Sequence, residues 1–451
     1  MGRLFGTDGV RGIANKELTG ELAYALGVAA GYVLGGRVKG RKPRILIGKD
    51  TRLSGDMLEQ AIGAGLLSMG CDVTRAGVLP TPAIAYLTRM TDATAGVVIS
   101  ASHNPFEYNG VKLFDENGFK LADALEDEIA DIVTKREDRS SHITGALLGR
   151  ADDWENEAQS AYVRFLYDQV REDLKGLRVV VDCANGAACK AANRLFGMLG
   201  VSTVFMGAKP DGTNINDGRG STHPESMQRR IVREGADVGL AFDGDADRLI
   251  CADETGALID GDKLMYVLAK SLKAQSRLSK NLLTATVMSN IGFAEALERE
   301  GISLQRADVG DRYVLELMQK TGSVFGGEQS GHLIFLEEHT TGDGVFAALR
   351  FLEALKTSGQ KASALAKDVE IYPQVLKNAK VKDENKYSFD KDVKIAAAIS
   401  EIEEEMNGRG RVLIRPSGTE PFVRVMLEGG DQQELGRMAD RLVRLIEDRL
   451  R

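Results

Sequence analysis

The chain is 451 residues long, 43% hydrophobic and 27% charged, an ordinary composition for folded globular domains and enough chain for two to four of them. Its formal net charge of −8 excludes general nucleic-acid binding. It also means that an anionic substrate must be drawn in by local basic clusters against the overall field.

In chain order, Met1 to Gly6 carry no long apolar core of a signal peptide, and Gly6 stands where a myristoylation signal needs Ser or Thr. No uncharged apolar run approaches the ~20 residues that span a bilayer, so no membrane association is expected. After a glycine-rich segment, Gly6-Thr7-Asp8-Gly9-Val10-Arg11-Gly12, comes a β-like run, Arg44–Asp50. A helix is predicted over Gly55–Met69, with Ser54 as N-cap, Asp56 in the first turn and Gly70 beyond its end. A second β-run, Val97–Ser102, completes the unit. The same plan recurs as Leu177–Asp182 followed by Val238–Asp243, and as Leu282–Val287 followed by Ser323–Glu328. β-Branched runs alternating with helical periodicity predict βαβ units on parallel or mixed sheets, here in three similar domains.

Boundaries are expected where polarity rises. Lys135–Glu157 is charged and reads as irregular, and Asp253–Gly256 reads as a turn near a second boundary. Tyr372-Pro373 precedes a different, smaller piece: strand, helix, a hairpin around Arg415–Val425 and a final helix. That helix opens with Asp431 and Glu434 at capping-box spacing. Leu435, Met438, Leu442, Leu445 and Ile446 form its core-facing stripe. Cys71, Cys183, Cys189 and Cys251 show neither a C-x-x-C pair nor zinc spacing; free buried thiols in a reducing cytoplasm are the expectation.

Two strand ends carry the chemistry. Val97–Ile99 runs into Ser100-Ala101-Ser102-His103-Asn104-Pro105, and Val238–Phe242 runs into Asp243-Gly244-Asp245-Ala246-Asp247-Arg248. A loop serine is usually a turn residue, and clustered acids are usually a solvated surface. Here an apolar run feeds each loop, which puts both at the carboxyl edge of a sheet, where open α/β sheets bind ligands. An EF-hand would use Asp243, Asp245, Asp247 and Glu254, but it needs Gly where Arg248 stands and a helix leading in. A hydroxyl together with three crowded carboxylates points instead to metal-assisted phosphoryl transfer through a phosphoserine at Ser102. Donors that are all oxygen favour Mg²⁺ over zinc, and Mg²⁺ neutralises charge on a transferring phosphoryl group.

The charges require more cations than the metal. A phosphoserine with three aspartates totals roughly −5, and one Mg²⁺ removes two of these. Arg248, Lys112 and Arg11 are the candidates to supply the rest. The hairpin Arg415-Pro416-Ser417-Gly418-Thr419-Glu420-Pro421 reads as an anion cradle. Arg415 offers a bidentate fork, Ser417, Gly418 and Thr419 offer hydroxyls and backbone N–H groups, and Arg424 on the return strand adds a second fork. The loop Gly326-Gly327-Glu328-Gln329-Ser330-Gly331-His332 offers Glu328 and Ser330 to sugar hydroxyls or an amine. His332, alone there, is as readily structural as substrate-binding.

With these motifs in this order over nearly the whole length, the chain resembles the α-D-phosphohexomutases, and within them the bacterial branch that handles glucosamine phosphates. Gln329, Asn214–Gly218 and Ser221–Pro224 carry the resemblance to that branch. The resemblance implies three related α/β domains with mixed sheets plus a smaller C-terminal α+β domain around a central cleft. Residues 1–150 would bear the phosphoserine, 157–255 the metal site, 256–370 sugar recognition and 374–451 a phosphate clamp. It implies Ser102 as the phosphorylated residue, with Asp243, Asp245, Asp247 and Ser102 itself around one Mg²⁺. Substrate contacts would come from Thr7, Arg11, Arg312, Glu328, Ser330, His332, Arg415, Ser417, Gly418, Thr419 and Arg424. The implied reaction interconverts glucosamine 6-phosphate and glucosamine 1-phosphate through a 1,6-bisphosphate, with a hexose 1,6-bisphosphate as activator. A homodimer through the first domain is implied in the same way. His103, Lys112 and Arg248 are open candidates for general acid and base.

Three alternatives remain at this stage: the same chemistry on mannose or glucose phosphates, a metal-dependent sugar phosphatase, and a non-catalytic sugar-phosphate binder. The loops are poor in the histidines that two-metal phosphatases commonly recruit, and a binder would be expected to lack Ser102 or an aspartate.

Overall fold

The apolar runs become central strands, and the polar residues that follow them sit where those strands end. The computed structural model describes residues 4–6, 8–136, 139, 143–406, 408–417 and 420–451. The chain divides into two compact units, Met1–Met288 with Glu300–Lys367, and Ser289–Arg299 with Asp368–Arg451.

The first unit holds three sheets. In chain order the first has β1 (Val10–Ile13), β2 (Arg44–Lys49), β3 (Asp72–Val78), β4 (Ala95–Ile99), β5 (Tyr108–Phe114) and β6 (Ala151–Asp153). They lie in the order β1-β5-β4-β2-β3-β6. The second has β7 (Arg178–Asp182), β8 (Ser202–Met206), β9 (Val238–Phe242), β10 (Leu249–Asp253) and β11 (Leu258–Ile259), ordered β11-β10-β9-β7-β8. The third has β12 (Leu282–Thr286), β13 (Ser303–Ala307), β14 (Phe325–Gly327) and β15 (Leu333–Phe335), ordered β13-β12-β14-β15. All three sheets are mixed. A parallel strand (β4, β9, β14) pairs with the antiparallel strand that follows it (β5, β10, β15). Residues 100–107, 243–248 and 328–332 are therefore three hairpin loops of one structural plan.

Burial follows the pattern of side chains. Every residue of β4 and of β9 is buried. The helix Gly55–Ser68 presents Leu58, Ile62 and Leu66, one per turn, to the core that also holds Ile45, Ile47, Val97 and Ile99. Each such buried side chain contributes about 1.5–3 kcal/mol. Asp56 is in that helix's first turn, but Ser54 makes no side-chain cap. Its hydroxyl accepts a hydrogen bond from Asn109 Nδ2 instead. The stretch expected to be irregular, 135–157, also contains β6, which adds a parallel edge to β3. Its short polar sequence has no apolar alternation to announce a strand. The Asp253–Gly256 turn joins β10 to its partner β11.

In the second unit β16 (Gln374–Lys380), β17 (Gly410–Pro416) and β18 (Phe422–Gly429) form an antiparallel sheet with β18 in the centre. The helices Val393–Glu405 and Gln432–Leu450 share its core. Asp431 caps the last helix by accepting from Gln433 N at 2.8 Å and Glu434 N at 2.9 Å. Leu435, Leu442 and Ile446 are buried, with Met438 and Leu445 packed beside them. The helix Ile291–Arg299 belongs to this unit: Asn290 Oδ1 accepts from Tyr372 N, and Ile291 N donates to Glu428 Oε1.

Candidate active site

The loop after β4 holds Ser102 in a left-handed backbone, φ +53°, a conformation that residues other than Gly adopt only when their surroundings impose it. The imposing bonds are in place. Ser102 N donates to Ser100 Oγ at 3.0 Å, and Ser102 O accepts from Arg52 Nη2 at 2.8 Å and from Asn216 Nδ2 at 2.9 Å. Arg52 is locked in turn by a buried pair with Asp50, Nε to Oδ2 at 2.8 Å, and Asp50 Oδ2 also accepts from Ser100 Oγ at 2.6 Å. The result aims the Ser102 hydroxyl at the loop after β9, where it donates to Asp243 Oδ2 at 2.6 Å. Gly244 is what lets the loops meet, since a Cβ there would stand 2.5 Å from Ser102 O.

The three aspartates each offer an oxygen such that all three atoms lie within 4.8 Å of one another. They are entered from a strand, not a helix, so the EF-hand geometry is absent. Burial lifts the Asp243 carboxyl well above its usual range, and Asp247 and Asp245 add to the lift. Asp247 is raised by burial and by Asp245. Asp245 goes the other way: burial would raise it, but Lys112 Nζ at 2.9 Å and the Thr81 hydroxyl at 2.7 Å hold it below. Asp245 Oδ1 and Asp247 Oδ1 are buried without a hydrogen-bond partner among the described residues. Buried carboxylate oxygens are normally satisfied. Two orphans in a cluster of mutually repelling acids, with oxygen donors throughout, fit a single hard divalent cation.

Around the acids stand cations. Lys112, 2% exposed, reaches Asp245, Asp8 at 3.2 Å and Asp247 at 3.8 Å. Burial would lower it, but these three carboxylates push it up instead. Arg248 is pushed up by Asp247 and Asp243 against its own burial. His103 Nδ1 lies 3.3 Å from Ser102 Oγ and 3.2 Å from Arg248 Nη1. Burial, then Arg248 and Arg11, push its imidazole down to about 4. Arg11 pairs with Asp8, and Lys120 bridges Asp8 Oδ1 at 2.6 Å to Asp311 Oδ2 at 2.5 Å. His332 Nε2 is 3.7 Å from Asp311 and 3.8 Å from Asp247. The loop after β14 is sewn to the aspartate loop by a bridge between Arg248 and His332, and Leu249 N donates to Gly331 O at 3.0 Å. Within it Glu328 accepts from Gly310 N at 3.2 Å, and burial lifts its carboxyl.

Models of the phosphoglucomutase/phosphomannomutase family match the chain in sequence: α/β/α domain I over residues 2–140, domain II over 160–256, domain III over 260–372 and the C-terminal domain over 376–445. The chain belongs to the α-D-phosphohexomutase family. It is 51% identical over 450 residues to a phosphoglucosamine mutase of Acetivibrio thermocellus and 53% identical over 450 residues to one of Clostridium kluyveri, with 100% of each chain covered. Its fold is similar to a phosphoglucomutase/phosphomannomutase family protein of Burkholderia thailandensis, with TM-score 0.81 at 23% identity over 98% of this chain and 97% of that one. The Aspergillus fumigatus N-acetylphosphoglucosamine mutase, solved with GlcNAc-6P and magnesium, gives TM-score 0.67 at 17% identity over 98% and 95%.

The remaining candidates of this phosphohexomutase are placed as follows. Arg312 pairs with Asp123 and with Glu316 Oε1 at 3.1 Å, and Ser330 is exposed. In the second unit Arg415 and Arg424 are directly opposite in the β17–β18 ladder, so their side chains share a face. Arg424 lies 3.6 Å from Glu420, and Ser417, buried, accepts from Glu420 N at 3.3 Å. Thr7, Gly418 and Thr419 lie outside the described residues. The sequence did not single out Arg52, Thr81, Asn216, Lys120 or Asp311 as site residues. Asp50-Thr51-Arg52 ends a β-run just as the serine loop does, and that was the available signal.

Proposed function

We propose that this phosphohexomutase interconverts glucosamine 6-phosphate and glucosamine 1-phosphate through phosphorylated Ser102 and a 1,6-bisphosphate. The observation that carries the reaction class is the Ser102 hydroxyl, 1% exposed, 2.6 Å from a carboxylate of a buried acid triplet. Near-complete relatives at 51% and 53% identity named phosphoglucosamine mutase support the amino sugar. Asp243, Asp245 and Asp247, with the seryl ester, are the residues that would hold Mg²⁺, which supplies charge neutralisation for the phosphoryl group.

Ser102 Oγ gives its phosphoryl group to a sugar hydroxyl: the P–O bond to serine breaks, one to the sugar oxygen forms, and the hydroxyl proton returns to the serine oxygen through a base. After the bisphosphate turns over, Ser102 Oγ takes the other phosphate and the freed sugar oxygen regains a proton. Lys112 and Arg248 are held as cations by their acids and suit charge compensation of the moving group. His103, pushed down to about 4, is neutral at pH 7 and is the one of the three acid–base candidates with a lone pair to offer. Burial of Ser102 keeps water from the ester and opposes a phosphatase. Arg415, Ser417 and Arg424 would clamp the phosphate that is not transferred, and Glu328 would read the sugar.

Further parts of the proposal are a hexose 1,6-bisphosphate activator, a homodimer, and the domain limits 1–150, 157–255, 256–370 and 374–451. A cytoplasmic setting goes with it, since charged sugar phosphates do not cross a bilayer unaided. Among the described residues no helix is long and apolar enough to cross a membrane. Intact mass with peptide mapping should find one phosphoryl group, on Ser102. Glucosamine 6-phosphate should be turned over faster than mannose or glucose 6-phosphate. Preference for mannose would overturn the substrate, and free phosphate released as fast as isomer would overturn the reaction.

A further inference from the structure

Asn216 lies in the loop between β8 and the helix Glu225–Glu234, on the second sheet's side of the site. Its backbone is left-handed, φ +61°, a region that Asn enters more readily than most residues. Its N donates to Ala184 O at 2.9 Å, which ties it to the loop after β7. Its side chain, in a residue 7% exposed, reaches across to the first sheet's loop. Nδ2 donates to Ser102 O at 2.9 Å and to Asn104 O at 3.0 Å, while Oδ1 has no partner among the described residues.

Three groups hold the Ser102 backbone in its left-handed turn. Ser100 Oγ and Arg52 Nη2 come from the first sheet and move with the serine. Asn216 alone of the three comes from the second sheet, which carries the aspartates. Its amide and the Gly244 backbone meet at the same carbonyl: a Cβ on Gly244 would lie 2.5 Å from Ser102 O and 2.9 Å from Asn216 Nδ2. We infer that Asn216 is a positioning residue for phosphoryl transfer, whose side-chain amide registers the Ser102 loop of one sheet against the Asp243–Asp247 loop of the other. The amide is suited to this because both its N–H groups are spent on two carbonyls of one loop. Misplacing a reacting group by about 1 Å costs on the order of 10²-fold in rate, so register between the sheets matters more than affinity.

The inference rests on Ser102 carrying the phosphoryl group, and the test separates the two. Asn216→Asp keeps shape and tolerance of positive φ but sets carboxylate oxygens against two carbonyl oxygens. The purified full chain is dephosphorylated and mixed with glucose 1,6-bisphosphate and Mg²⁺, and Ser102 phosphorylation is timed by peptide mass. In this step the P–O bond to the sugar breaks, the bond to Ser102 Oγ forms, and the serine proton passes to the sugar oxygen. We expect phosphorylation and kcat to fall about 10–100-fold, with KM for glucosamine 6-phosphate within about twofold. Amide exchange should rise over residues 100–105 and not elsewhere in the first unit. Asn216→Ala, which removes the donors without adding charge, is to show the same split. Unchanged phosphorylation in either folded variant overturns the inference, as does a loss matched by general destabilisation with no local exchange. If the parent itself takes no phosphoryl group at Ser102, the phosphoserine reading fails and this inference with it.

Discussion

Two regions of this phosphohexomutase handle charge in opposite ways. In the first unit, Ser102 and the aspartate triplet are buried and cross-braced, and the crowding is of anions, with two carboxylate oxygens left orphaned. In the second, Arg415 and Arg424 stand directly opposite in a two-strand ladder on a half-exposed hairpin, with Glu420 3.6 Å from Arg424. Like charges directly opposite in a sheet are destabilising unless something lies against them. Each region thus gathers charge of one sign, which on the proposed reading suits a metal in one and a phosphate in the other. The difference is in bracing: the reacting centre is preorganised by neighbours that hold backbone and side chain alike, while the hairpin sets two guanidiniums on one face of a ladder. A centre that must place one atom needs the former, and the proposed clamp, which would accept a phosphate in two orientations, can use the latter.

The largest expected effect breaks the buried side of this contrast. Ser102→Ala should abolish mutase activity while stability stays within about 2 kcal/mol of the parent, since one neutral-to-acid hydrogen bond is lost. Activity assays and denaturant melts check this, and activity within tenfold of the parent would remove the covalent step. Next is Lys112→Met. Lys112, 2% exposed, neutralises Asp245 and Asp8, and breaking the buried pair with Asp245 from one side costs about 3–5 kcal/mol. Added Mg²⁺ should recover part of that loss, because it supplies charge to the same acids. A melt unchanged by the substitution would mean that the acids are not charged in the free protein.

The hairpin should behave conversely. Arg424→Ala removes one of two opposed guanidiniums together with its part-exposed pair to Glu420, worth under about 1 kcal/mol, so stability should stay within about 1 kcal/mol, while KM for the sugar phosphate rises about 10–100-fold, the loss of one charged hydrogen bond at 1.5–3 kcal/mol. A stability loss as large as that of Lys112→Met would erase the distinction between the two regions.

Much of this organisation is legible in the chain, for reasons that also mark the limit. Val97–Ile99 and Val238–Phe242 are apolar throughout, so they read as buried strands, and the abrupt change to polar residues after each reads as a sheet edge. The three α/β domains and the smaller terminal one follow from that repeated plan. The antiparallel strands after the loops are less legible: β5 mixes Asn109 and Lys112 into its run, and β10, though apolar from Leu249 to Ala252, follows Arg248 directly and reads as a tail of the aspartate loop. Arg52, Asn216, Lys120 and Asp311 are not legible as site residues. Their roles lie in pairings such as Asn216 with Ser102 and Lys120 with Asp311, which are 114 and 191 residues apart. Periodicity reports which face a residue takes, not which distant residue it meets.

The smallest effect tests how far the buried side's bracing extends. His339 Nε2 lies 3.1 Å from Asp343 Oδ2, an oxygen that accepts its hydrogen bond from Tyr162 Oη at 2.8 Å. The neighbouring Gly342 N donates to His332 Nε2 at 3.3 Å. Burial, then Arg89, push His339 from 6.5 down to about 3, and burial pushes Asp343 from 3.8 up to about 7. Between pH 3 and 6.5 the unfolded chain holds a proton on His339 that the folded chain lacks, so this residue makes stability fall as pH falls. Asp343 does the reverse between pH 3.8 and 7, because the folded chain holds the extra proton. In the parent the two slopes oppose each other. His339→Gln removes one of them, so the variant should gain about 2 kcal/mol relative to the parent on going from pH 7 to pH 5. Denaturation at the two pH values measures that difference. A variant that keeps a constant offset from the parent would show that His339 titrates in the folded protein as it does in the unfolded chain, and that the buried bracing stops short of it.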